Sequence, residues 1–288
     1  TAPNLDPAQG SVDIAAAPTI NLPPTLWVDG LGAGLSAEGH GTLGASDHEG
    51  VVLTLTSRDA SRVRLSRNPT LEPTASIEIP INAGHTGFTF WAQAMDGQTG
   101  ETEIIASAPG FMDAVVSIEV VDSYVRLLGL PEVRVIFGPD AGPTVEVGVI
   151  TESGGFRRQL LRAGSEVRAT LTTSDTAVAA FSLEDSTFTD TVELGWSFEE
   201  TSYGNYSMDW DSGVLQANGR GVTTVRASIP GFLPHEAEQE MTVLGAPLYA
   251  PDGEVGVGLM RRFQGGLGAR PDEDTPVTIT SNDPSKIL

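Results

Sequence analysis

The residue types able to carry chemistry are few in this chain and poorly spaced for it. Four histidines, His40, His48, His85 and His235, stand in no H-x-x-x-H or related ligand spacing, so they offer no zinc site. Cysteine does not occur, which removes disulfides, thiolate metal sites and cysteine nucleophiles together. No G-x-S-x-G is present to lift a serine into a nucleophile. The glycine-rich stretch at 30–34 is not followed by the helical pattern a phosphate loop needs. Glu199, Glu200, Asp209 and Asp211 lie close in sequence, as a carboxylate pair for glycoside hydrolysis would, but solvated loop residues read the same way. An enzyme is not expected.

Calcium is the one cofactor the residues suggest. A hard cation takes closely spaced carboxylates and backbone carbonyls, and "MDWDSG" with Asp209 and Asp211, and "PDEDTP" with Asp272, Glu273 and Asp274, are the densest candidates. Neither follows the D-x-[DN]-x-[DN]-G-x₅-E loop, and solvated turns are the competing reading. If calcium binds only the folded chain, adding it after chelation raises the melting temperature.

The other candidate site is aromatic. "WSFEETSYGNYSMDW" places Trp196, Phe198, Tyr203, Tyr206 and Trp210 in one short run of a chain with 10 Phe, 4 Trp and 4 Tyr. Such side chains offer a flat apolar face with a polar edge, suited to a sugar ring or a neighbouring protein. The alternative is that half of them alternate into a core.

Composition sets the stage on which these residues must be positioned. The chain has 288 residues, Gly 33, Pro 19 and many short runs rich in Thr, Ser and Val, the balance of strands joined by turns. Its formal charge is −22, and such a field repels phosphate backbones and anionic membranes, so nucleic acid is not an expected partner. No apolar run is long enough to span a bilayer, and direct membrane insertion is not expected. No charged-then-apolar leader follows Thr1, so an export signal is expected to have been removed or to lie outside the sequence.

The positioning elements are repeated. A shift of 224 lays residues 31–64 on 255–288 without a gap, with 13 of 34 positions identical. "TLTSRDAS", "TLTTSDTA" and "TITSNDPS" share a strand followed by Asp59, Asp175 or Asp283, where an aspartate accepts from the backbone two residues on. "ASAPGF" at 106–111 returns as "ASIPGF" at 227–232, a turn followed by a buried aromatic. The boundaries so marked are 1–22, a linker or the tail of a preceding unit; 23–122, repeat one; 123–244, repeat two with its aromatic-rich insertion near 196–210; and 245–288, an incomplete repeat three. The shift of 116 between the first two repeats sets Ile150 opposite Gly34.

Apolar residues recur every second position, so the elements are half-buried strands. The pattern puts Leu53, Leu55, Ile77, Ile79, Phe90, Ile105 and Phe111 in the core of repeat one. In repeat two it selects Leu171, Val192, Leu194, Val225 and Phe232. Two or three strands cannot bury a sandwich face. Residues 245–288 are therefore expected either to continue into further chain or to pair their open edge with another copy.

These motifs resemble tandem bacterial immunoglobulin-like repeats, the modules of adhesins and invasin-like stalks. The resemblance implies an all-β fold of tandem Ig-like β-sandwich domains outside the cytoplasm, at a bacterial cell surface or in the periplasm. It carries no catalytic residues. It implies a non-enzymatic stalk, filament or surface-layer component whose partners are copies of itself or neighbouring surface proteins. The alternative is an adhesin module that takes carbohydrate or protein on the repeat-two aromatics.

Overall fold

A computed structural model describes residues 16–23, 29–136, 138, 140–182, 188–200, 206–211, 213–249, 252–262, 264–268, 276–281 and 283–286, with the backbone alone at 199, 200, 206 and 207. All its regular elements are strands. The chain divides into unit 1, Thr1–Ser123 with Gly148–Ser165, and unit 2, Tyr124–Val147 with Glu166–Leu288.

Unit 1 opens with β1 (Ile20–Asn21), β2 (Leu31–Gly32), β3 (Leu35–Leu43), β4 (Val51–Ser57), β5 (Val63–Ser66), β6 (Ser76–Ile81), β7 (Gly87–Ala94), β8 (Gly100–Ser107) and β9 (Ala114–Val121). They make two sheets, β1-β3-β7-β5 and β2-β9-β8-β4-β6. The only parallel pair among these is β2 with β9, and the rest are antiparallel. This order, with a first strand split between the sheets and its second half parallel to the last strand, is that of an immunoglobulin-type sandwich. Alternation along each strand sends Leu53, Leu55, Leu65, Phe90, Ile104 and Ile118 into one core.

Unit 2 repeats the arrangement. Its strands are β10 (Tyr124–Leu128), β11 (Val133–Val135) and β12 (Thr144–Ile150). After β13 (Phe156–Arg158) and β14 (Leu160–Leu161) come β15 (Ala169–Thr173), β16 (Ala179–Ser182), β17 (Thr191–Leu194), β18 (Trp196–Glu200), β19 (Tyr206–Trp210), β20 (Val214–Ala217), β21 (Gly221–Ser228), β22 (Leu233–Pro234) and β23 (Glu238–Leu244). One sheet runs β11-β23-β21-β15-β17, position for position the order β2-β9-β8-β4-β6. In the facing layer β16 pairs with β20 in the register of β5 with β7, since Ala179↔Ala217 matches Val63↔Ala94. The link that β3–β7 makes in unit 1 shrinks here to a bridge between Ala141 and Leu215. Residues 245–286 add β24 (Leu248–Tyr249) and β25 (Gly266–Leu267), paired in the register of β1 with β3. From 252 on, every described residue except Asp283 is exposed.

The repeated motifs are local hydrogen-bonding devices. Asp59 Oδ1 accepts the Ser61 amide at 3.0 Å, Asp175 Oδ1 the Ala177 amide at 2.9 Å and Asp283 Oδ1 the Ser285 amide at 3.2 Å. In both "PGF" turns the phenylalanine amide donates three residues back, to Ala108 and to Ile229, across a glycine at φ 83° and 85°. Proline then left-handed glycine is the type II turn.

Three expectations are corrected. Ile105 is half-exposed while Ile104 is buried, because Ala106 pairs with the inward Leu55 and so turns Ile105 to the Thr56 side. Phe111 and Phe232 are half-buried rather than buried, and Ile77 and Ile79 reach the core only from the edge strand β6. The residue at the Gly34 position is Gly138, not Ile150. Ala37 and Ala141 both face the middle of the next strand, at Ala92 and Leu215, and the glycines stand three residues earlier.

Candidate functional site

The aromatic run folds as a hairpin, β18–β19, standing between β17 and β20. Pairing sets Trp196 opposite Trp210, Phe198 opposite Met208 and Glu200 opposite Tyr206, with Ser197 opposite Asp209. Because cross-strand partners share a face, Trp196, Phe198, Met208 and Trp210 lie together and Asp209 lies on the other side. Met208 is buried, whereas Trp196, Phe198 and Trp210 are half-buried. The Trp196 and Phe198 rings meet edge to face at 5.0 Å. The Trp210 Nε1 is shielded from solvent without an acceptor among the described residues. Tyr203 lies outside the described residues.

At the hairpin's base the Asp211 carboxylate accepts the Gly195 amide at 2.9 Å, and the Asp211 amide donates to the Gly195 carbonyl at 2.8 Å. Asp211 thus closes the hairpin, and Asp209 is exposed. Asp272, Glu273 and Asp274 lie outside the described residues. Among the described residues no three His, Cys, Asp or Glu side chains cluster as metal ligands. His48 has a structural post. Its Nδ1 accepts the Gly50 amide, so Nε2 carries the proton and donates to the His85 carbonyl at 2.9 Å.

A second constellation was not read from the sequence. In unit 1 the connection from β3 to β4 takes residues 44–50. The matching connection of the second repeat, 151–168, is much longer and carries β13 and β14. Residues 148–165 belong to unit 1. There β14 pairs antiparallel with β3, Leu160 opposite Ser36 and Leu161 opposite Leu35, and Leu161 is fully buried. The buried Gln159 amide bridges the backbone of Gly30 and Gly32, donating to one carbonyl and accepting from the other amide, both at 2.9 Å. The Ala163 amide donates at 2.8 Å to the buried Gln93, whose own amide donates to Ser66 and Leu71. Arg162 pairs with Asp96, and Arg157 with Asp29. The signal for this strap was "FRRQLLRAG", three arginines crowded into an acidic chain.

No family model matches the chain, and no curated protein matches it. Solved structures similar to it include domains 5–6 of the S-layer protein SbsC, at 15% identity, covering 79% of this chain and 99% of that one with TM-score 0.29. Invasin, titled a bacterial integrin-binding protein, matches at 13% identity over 82% of this chain and 42% of its own, TM-score 0.26. FdeC, an Escherichia coli adhesin, matches at 13% identity over 81% and 66%, TM-score 0.28. Likeness at this level bears on fold alone, and the fold rests on the strand order and register of each unit. The chain is an all-β tandem of immunoglobulin-like sandwiches, similar to the modules of bacterial surface-layer and adhesin proteins.

Proposed function

We propose that the chain is a section of a non-enzymatic, extracellular array of Ig-like modules, acting as stalk, filament or surface-layer component. The observation that carries this reading is the strap. Unit 1 is completed by residues the chain reaches only after it has begun the next repeat. An array without cysteine cannot lock its modules with disulfides, and ladder pairing plus buried glutamine bonds supplies resistance of another kind. The modules of surface-layer and adhesin proteins have the same kind of fold. Pulling the full chain in a force spectrometer tests the role. Unit 1 and residues 148–165 are expected to yield in one step, with Gln159→Ala lowering the force. Release of 148–165 alone at low force would overturn it, as would failure of an antibody to unit 1 to label intact cells.

A second reading is favoured by the half-buried Trp196, Phe198 and Trp210 face and by the Trp210 indole, which has no acceptor among the described residues. Under it the hairpin recognises carbohydrate or a protein partner. A glycan array should then retain the chain, and Trp196→Ala or Trp210→Ala should abolish retention. A structural spacer retains nothing.

A further inference from the structure

We propose that residues 148–165 seat in unit 1 of a second copy as they do in their own, so that chains join head to tail by exchanging this segment. The array reading concerns where the protein works, whereas exchange concerns how copies join, and the two fail separately.

The receiving surface is a built one. It consists of the β3 edge at Leu35 and Ser36, the Gly30 carbonyl and Gly32 amide, the Gln93 side-chain Oε1, and the carboxylates of Asp29 and Asp96. The occupant matches it group for group with Leu160, Leu161, Gln159, Ala163, Arg157 and Arg162. Two further backbone bonds complete the fit, Arg162 amide to Gly34 carbonyl at 3.0 Å and Ser36 hydroxyl to Leu161 carbonyl at 3.3 Å. The partners are 66 to 129 residues apart in sequence. None of these contacts depends on the two sides sharing a chain.

Connectivity decides what exchange would build. Both ends of 148–165 continue into unit 2. A segment seated in another copy therefore carries its own unit 2 along and leaves its own unit 1 open for the next. Passed on from copy to copy, such a contact is heterologous and builds a ring or an open filament, and returned between two copies it closes a swapped dimer. The same bonds form either way, and the choice rests on concentration. The step from Ser123 to Tyr124 holds the cis segment near its site at an effective concentration of about millimolar. Exchange wins when copies are crowded, or when they refold together.

The chain has no cysteine, which makes the test clean. Ser36→Cys and Leu160→Cys are made in separate full chains, then unfolded, mixed and refolded under oxidising conditions. The result expected is a disulfide-linked pair containing one of each, increasing with protein concentration and missing when either variant is refolded alone. A chain carrying both substitutions is expected to close on itself when dilute and to give a ladder of covalent oligomers when concentrated. No mixed pair, and only the closed monomer up to millimolar protein, overturns the proposal. Should either substitution block folding, the unsubstituted chain decides. Refolded at high concentration it should yield oligomers in which the Arg162 and Ala163 amides are protected from hydrogen exchange. Monomers alone, or oligomers with those amides unprotected, overturn it.

Discussion

Among the described residues of unit 1 the largest fully buried side chain is Phe90 on β7, with Leu65 on the neighbouring β5. In unit 2 the aromatic has moved to β16, where Phe181 stands at the Leu65 position, and Gly213 takes the place of Phe90. The ladders are kept while the volume is moved between strands. Unit 1 makes room for Phe90 by placing Gly39 opposite it, where a Cβ would lie 2.6 Å from the ring. A second exchange sits on the parallel strand. The fully buried Leu31 pairs with Val120, and its counterpart Arg134 pairs with Val243 at 9% exposure. Burial pulls the Arg134 guanidinium below its usual pKa range, with Asp140 opposing, and its Nη1 donates to the Leu215 carbonyl. What two immunoglobulin-like units share is therefore hydrogen-bond register, and side-chain volume and polarity follow locally.

The largest test of that division is to empty each core. Phe90→Ala and Phe181→Ala should each cost ~3–5 kcal/mol, by lost transfer energy and an unfilled cavity. The effects should stay apart. Phe90→Ala should deprotect the Arg162 and Ala163 amides in hydrogen exchange, because they hang on unit 1, and Phe181→Ala should leave them protected. Equal loss in both variants would break the comparison.

Next comes the buried arginine. Replacing a buried ion pair with well-packed apolar side chains is commonly neutral, or stabilising by about 1–4 kcal/mol, and because Asp140 is exposed, removing Arg134 leaves no buried charge unpaired. Arg134→Leu should then hold or raise the stability of unit 2 in denaturant unfolding, and Leu31→Arg should destabilise unit 1. A marked loss from Arg134→Leu would show that the Leu215 and Asp140 interactions outweigh desolvation.

Much of this was legible in the residues. Strands declared themselves where Thr and Leu alternate, as in Val51–Ser57, and the aspartate and "PGF" turns were spelled by residues that bond within three positions of themselves. Ile105 misled because Ile104–Ile105 is a doublet, and alternation alone does not say which member faces in until Leu55 selects Ala106 across the ladder. The aromatic pair was readable in principle: Trp-x-Phe at 196–198 and Met-x-Trp at 208–210 alternate from both ends toward one turn. The strap was hidden for a different reason. "FRRQLL" has no period, and although Phe156–Arg158 pair locally with Gly148–Ile150, the partners that seat the strap between Gly30 and Gln93 are remote in sequence. Its three arginines at 157, 158 and 162 mark it only in hindsight of the acidic whole.

The two glycines offer a smaller contrast. At Gly39 an added methyl meets Phe90 ring atoms at 2.6 and 2.9 Å, so Gly39→Ala should cost ~1–3 kcal/mol as overpacking. At Gly213 the same methyl would meet Leu194, Leu171 and Val192 at 3.3 to 3.8 Å, near ordinary contact. Gly213→Ala should be close to neutral by the same melting curve. If both are neutral, Phe90 has other room to move and Gly39 is not what admits it.

The smallest effect expected is electrostatic, at the repeated aspartate. The Ser61 hydroxyl holds the Asp59 carboxyl below its ordinary pKa, desolvation opposes it, and the Ser61 amide and Arg62 each add a smaller lowering. A depressed folded pKa means that the folded state favours the carboxylate. The stabilisation is thus fully present above the unfolded value of about 3.9 and is lost as pH falls through the lower folded value. Unit 1 should therefore melt lower in Asp59→Asn than in the unsubstituted chain at neutral pH, by a small fraction of the Phe90→Ala effect. The gap should close as both are titrated below the ordinary aspartate range. In unit 2 the residue two beyond Asp175 is Ala177, which donates its amide but has no hydroxyl to add. Asp175→Asn should accordingly open a narrower gap in the melting of unit 2 than Asp59→Asn opens in unit 1. A gap of the same width in both would place the contribution in the shared backbone turn rather than in the serine.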